Sequence, residues 1–105
     1  MIKVIMLMKR RPGMTVSEFR DYYENNHRVI GEKYLNGFAI KYIRRFINPL
    51  IDRSGNLTDP EYDVLMEVWY PDEETFKACG EKLSEPDIAK EIREDEEKVF
   101  DTRFM

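Results

Sequence analysis

Residues 2–10, IKVIMLMKR, constrain the fold more than any other stretch of the chain. Ile2, Val4, Met6 and Met8 alternate onto one face of an extended segment, while Ile5 and Leu7 take the other. A strand apolar on both faces is a central strand covered on both sides. Arg11-Pro12-Gly13 stops it. Thr15-x-x-Glu18 has the spacing of a capping box, which predicts a helix beginning near Ser17. Phe19, Tyr22, Tyr23, Asn26, Val29 and Ile30 recur at intervals of three and four and make one apolar helical face. The helix ends at Gly31 as a C-cap, or runs to Leu35 before Asn36-Gly37.

A second strand is expected over 38–47, FAIKYIRRFI, closed by Pro49, with a polar loop over 52–60. The clearest strand is 62–70, YDVLMEVWY. Tyr62, Val64, Met66, Val68 and Tyr70 share one of its faces, and Asp63, Leu65, Glu67 and Trp69 the other. Asp72 can cap a helix over 73–83, a short helical piece follows Pro86 near 87–94, and VFDTRFM (99–105) reads as a final strand. The order is βαββαβ. Such a chain forms an α+β, ferredoxin-like, four-stranded antiparallel sheet with both helices on one side. Ile5, Leu7, Leu65 and Trp69 would then lie on the open face, an apolar patch that a second copy of the chain would cover in a homodimer.

The 105 residues suit one domain spanning 1–105. The net charge of −4 comes from 17 basic and 21 acidic residues mixed along the chain. That pattern argues against nucleic-acid binding, which needs a segregated basic face. One cysteine, Cys79, excludes an intramolecular disulfide and a Cys-rich zinc site, and fits a reducing compartment. Without a base beside it, it reads as a small buried apolar residue. The N-terminal apolar run is too short for a membrane span, and its charges follow the run instead of preceding it as in a signal peptide. A cytoplasmic protein is expected, in which the sequon at Asn56 has no role.

His27 is the only histidine. Its ordinary pKa of about 6.5 lets it exchange a proton near neutrality, so it reads either as an acid/base in an apolar cleft or as a solvated residue near a helix C-terminus. Glu24-x-x-His27 has the spacing of di-iron helical sites, but no second such motif exists and no metal is expected. Phe19 and Tyr22 read as core, and Tyr23, one turn before His27, as a pocket residue able to stabilise developing charge. Tyr42 and Arg44 share a strand face. Asp63 and Glu67 on the open sheet face would need partners such as Lys3, Lys9 or Arg103 across a dimer interface.

Three stretches are together similar to the EthD family: KVIMLMKRRPGMTVSEFRDYYENNH, YDVLMEVWYPDEETFKA and EDEEKVFD. The first carries a strand, a Lys-Arg-x-Pro-Gly turn and a helix with paired aromatics and a terminal His. The second begins Tyr-Asp and ends in an aromatic-acidic turn, and the third closes the chain with Asp-Glu-x-x-x-Phe. The family's small residue and Pro directly after the His are absent here, so the first helix can extend further. The resemblance implies a homodimeric α/β barrel with a small-molecule cleft between sheet and helices. It also implies kinship with cofactor-free dehydratases, decarboxylases and cyclases acting on aromatic or polyketide-like compounds. Asp95, before the final segment, could then approach the cleft and orient His27.

The resulting expectation is a cofactor-independent lyase-type enzyme, with His27 as acid/base and Tyr23 and Asp95 in support. Val4, Met6, Tyr42, Met66 and Val68 would form the substrate-binding wall, where methionines suit an adaptable surface. The alternatives are a non-catalytic binding or accessory dimer of a degradative pathway, and a cofactor-free monooxygenase. A haem-binding role for His27 is a remote fourth.

Overall fold

The computed structural model describes residues 1–105. The alternating 62–70 segment forms β5 (Val64–Tyr70), the middle strand of an antiparallel sheet between β1 (Ile2–Met8) and β2 (Lys41–Phe46), so β1, expected to be central, is an edge strand with Ile5 and Leu7 exposed. Register aligns Val4, Val68 and Tyr42 in one row, Met6, Met66 and Arg44 in the next, and Met8, Val64 and Phe46 in a third. These rows face the helices. Lys3, Trp69 and Lys41, with Ile5, Glu67 and Ile43, stand on the opposite face, as a period of two requires.

The capping box forms as its spacing predicts: the Thr15 hydroxyl accepts from the Glu18 amide at 3.1 Å, and the Glu18 carboxylate accepts from the Thr15 amide at 3.0 Å. It opens α1 (Val16–Tyr22), which passes through one π-helical turn, Tyr23–His27, into α2 (Arg28–Leu35). The helix therefore runs to Leu35, and Gly31 lies inside it, not at its cap. The π turn inserts an extra residue and shifts the inward face by one position. Tyr23, His27 and Leu35 are buried, whereas Asn26 and Val29, expected on the apolar face, are exposed.

The loop after Phe46 holds a small ladder that its polar composition does not predict, β3 (Leu50–Ile51) paired with β4 (Leu57–Thr58). Gly55 turns it with φ +83°, a left-handed conformation that favours glycine. Asp72 caps α3 (Glu73–Leu83) by accepting from the Thr75 amide at 2.7 Å.

α4 (Pro86–Val99) is much longer than the expected 87–94. Ile88, Asp95 and Val99 keep its inward stripe buried to the last turn, so the helix runs on to Val99, the first residue of the expected final strand. Only Phe100 pairs in an extended fashion, through a single bridge to Arg10. Asp101 then accepts from the Arg103 amide and starts a 3₁₀ turn, Thr102–Phe104. The sheet accordingly has three strands, not four.

Met8, Phe19, Tyr23, Val64, Val99 and Phe100 form the main core, which joins β1, β5 and the helical layer. Phe19, Tyr23, Phe46 and Phe100 meet edge to face at centroid separations of 5.5 to 6.1 Å, a favoured aromatic geometry. The acids at 63 and 67 find partners within the chain, correcting the pairings expected from sequence. Asp63 accepts from the Arg10 amide at 2.9 Å and faces its guanidinium at 3.7 Å. Glu67 pairs with Arg45 at 3.4 Å, a diagonal neighbour across β5 and β2. Lys3 and Lys41 instead lie over the Trp69 ring, and Arg103 is taken by Asp101 at 2.7 Å. No helix is long and apolar enough to cross a membrane.

Candidate functional site

Between the sheet and α2, α3 and α4 lies a cavity of about 280 Å³, fourteen of whose seventeen lining residues are hydrophobic. That volume is at the small end of ligand pockets, roughly 300–1,000 Å³. Val4, Met6, Met66 and Val68 project into it from the helix-facing rows of the sheet, joined by Tyr42 from β2. Tyr23 and His27 enter from the π turn. A wider depression of about 590 Å³ beside Lys33 and Asn36 does not include His27.

His27 is held from three sides. Its Nδ1 lies 2.8 Å from Asp95 Oδ2 on α4, and Tyr23 and Phe100 meet its ring edge to face at 5.3 and 5.1 Å. A carboxylate only accepts, so Nδ1 carries the proton and Nε2 is the nitrogen left with a lone pair. The other oxygen of Asp95 accepts from Tyr22 at 2.5 Å. Tyr22 and His27 are five residues apart, a separation that one π turn brings to the same side. Burial and the bond to Asp95 push the Tyr22 phenol up to about 12. Asp95 is itself buried and does not line the cavity; it reaches the site only through His27 and Tyr22.

A second polar group lines the same cavity. The Tyr23 and Tyr42 hydroxyls are 3.1 Å apart. Burial raises both phenols, so both stay protonated at neutral pH. One O–H donates to the other phenol, which leaves the second O–H free to donate elsewhere. Arg44 braces Tyr42 with its guanidinium 4.7 Å from the ring, and is itself fixed by Glu24 at 2.7 and 3.3 Å. Glu24 thus faces Arg44 and His27 faces Asp95, so the Glu24-x-x-His27 spacing does not assemble into a ligand pair. No cluster of three or more His, Cys, Asp or Glu side chains is placed to hold a metal ion.

Gly31 makes room for this arrangement. A Cβ there would stand 2.8 Å from Tyr42 Cε2 and 3.0 Å from its Oη. Tyr34, also lining the cavity, donates to Glu91 on α4 at 2.7 Å and ties the two helices together. Cys79 is wholly buried behind Tyr70, whose hydroxyl lies 3.7 Å from Sγ, and burial raises the thiol.

The structure therefore brings His27, Tyr23, Val4, Met6, Tyr42, Met66 and Val68 to one cavity, with Asp95 behind the histidine. Sequence reasoning missed Tyr22 as a partner of Asp95, Phe100 as the brace of His27, Gly31, and Glu96 in the cavity wall. Glu96 and Phe100 had a local signal, since both lie in the Asp-Glu-x-x-x-Phe stretch over 95–100. No curated protein matches the chain. Residues 11–103 match the EthD domain, and the chain belongs to the EthD family.

Proposed function

We propose that the protein is a cofactor-independent lyase-type enzyme acting on a small aromatic or polyketide-like carbonyl compound, with His27 as its acid/base. The observation that carries this is the 2.8 Å contact from Asp95 to His27 Nδ1, made by a ring that lines an apolar cavity. A merely structural histidine needs no buried carboxylate to select one tautomer. In the proposed reaction the free O–H of the Tyr23–Tyr42 pair donates to the substrate carbonyl oxygen. The proton on the adjacent carbon becomes acidic, and His27 Nε2 takes it. The phenol pair stabilises the enolate, and the apolar wall keeps water from competing for these donors. Asp95 holds the imidazole in register and stabilises the imidazolium that forms, while Tyr22 holds Asp95.

The same reading includes a homodimer through the open sheet face. Ile5 and Leu7 are exposed there, and the β3–β4 arm carries Leu50, Ile51 and Leu57 into solvent.

The test uses 1-tetralone, a bicyclic ketone with exchangeable protons beside its carbonyl. Deuterium uptake is followed by proton NMR, and the His27 ring signals report binding in the same samples. The wild type is expected to accelerate exchange, and His27→Ala to remove about 10²-fold or more of it. Asp95→Asn should slow exchange while tetralone still shifts the His27 signals. Binding without exchange in the wild type would refute the enzyme and leave a non-catalytic ligand-binding dimer.

A further inference from the structure

α4 places two adjacent acids on or beside its inward apolar stripe. Ile88, Ile92, Asp95 and Val99 form its inward stripe at intervals of three and four, and Glu96 follows Ile92 by four. Both Ile92 and Glu96 line the cavity, and Glu96 is the only acidic residue among the lining residues. The two neighbouring acids are in opposite situations. Asp95 has both oxygens engaged, by Tyr22 and His27, whereas no side chain pairs with Glu96.

An unpaired carboxylate against an apolar wall loses solvation, which favours the neutral acid more than in water. Burial accordingly raises the Glu96 carboxyl, with Glu97 and Asp95 adding to the effect and His27 and Arg93 opposing it. Glu96 also borders two surface depressions, one with Ile92 and Glu94 and the other with Glu97 and Thr102. It stands at the mouth of the cavity, reaching the ligand space on one side and solvent on the other.

We propose that Glu96 is the general acid of this site, protonating the leaving hydroxyl of a β-hydroxy ketone while His27 Nε2 takes the α-proton. The inference rests on the proton-transfer reading above and adds the reaction class, elimination of water. The Cα–H bond breaks and its electron pair forms the C=C bond. The Cβ–O bond breaks, the oxygen keeps that pair, and the Glu96 proton completes a water molecule. The products are the unsaturated ketone and water, with no oxidation or reduction. Imidazolium and carboxylate are left behind, and solvent at the mouth returns the proton from His27 to Glu96.

The experiment compares 3-hydroxy-1-tetralone, whose dehydration yields fluorescent 1-naphthol, with 3-acetoxy-1-tetralone, whose leaving group needs no proton. In Glu96→Gln the ratio of the hydroxy rate to the acetoxy rate is expected to fall about 10²-fold. Glu96→Asp, which keeps the acid on a shorter stem, should retain more of that ratio than Glu96→Gln. Equal losses on both compounds would assign Glu96 a structural role and overturn the proposal, as would no loss on either. A wild type that exchanges 1-tetralone through His27 but eliminates from neither compound refutes the Glu96 role alone. A wild type that neither exchanges nor eliminates refutes both.

Discussion

Replacing Gly31 by Ala sets two effects of known size against each other. In a helix interior, Ala is favoured over Gly by about 1 kcal/mol, so a vacant site would be stabilised. Gly31 is not vacant: the new Cβ would meet Tyr42 Cε2 at 2.8 Å, Oη at 3.0 Å and Cζ at 3.1 Å. Ordinary carbon contact begins near 3.5 Å, so the ring must retreat by roughly 0.7 Å. It has little room to do so, because Arg44 sits 4.7 Å from the ring and Tyr23 Oη lies 3.1 Å from Tyr42 Oη. Overpacking of this kind costs about 1–3 kcal/mol. Gly31→Ala should therefore leave the protein no more stable than wild type, or less stable by up to about 2 kcal/mol. Gly80→Ala, inside α3 with nothing within 4 Å of its Cβ position, is the control and should show the helical gain. Urea unfolding at unchanged slope reads both, and Gly31→Ala repeated in a Tyr42→Ala background should recover the gain. If Gly31→Ala stabilises as much as Gly80→Ala, the tyrosine does not lie against the helix and the cavity wall described above is wrong.

The phenols of Tyr22, Tyr23, Tyr42 and Tyr70 are all raised, chiefly by burial, Tyr22 to about 12. A folded pKa above the unfolded value of about 10 means that the native state holds more protons, so this stabilisation is complete below pH 10 and is lost as pH rises past it. Ultraviolet titration should find these four ionising together with unfolding; their ionisation near pH 10 in a still-folded protein would contradict the packing. The proposed dimer predicts a wild type of twice the chain mass in sedimentation equilibrium, and Ile5→Lys, on the open sheet face, should shift it towards monomer. A monomeric wild type at all concentrations would refute that interface.

The local elements were largely legible in the sequence. Alternation over 62–70, the Thr15–Glu18 capping box and the Asp72 cap each depend on a residue's relation to its own backbone, and each forms as expected. Alternation also placed Val4 with Met6, and Met66 with Val68, on common strand faces, but which face of the sheet meets the helices was decided by packing. The last segment failed because only Phe100 stays extended, bridged to Arg10, between the end of α4 at Val99 and the 3₁₀ turn that Asp101 starts by accepting from the Arg103 amide.

The sequence by itself thus determined the family, the sheet faces and the singular histidine. Tertiary structure decided what that histidine touches. Asp95 lies 68 residues from His27 and Tyr22 73 from Asp95, and only the docking of α4 against the π turn brings them within bonding distance. That turn has no periodic signature, because one inserted residue alters the facing of everything after it while leaving the composition of the helix unchanged. Glu96 and Gly31 take their meaning from the same packing: an acid stands out only once its surroundings are apolar, and a glycine matters only once a tyrosine lies across it.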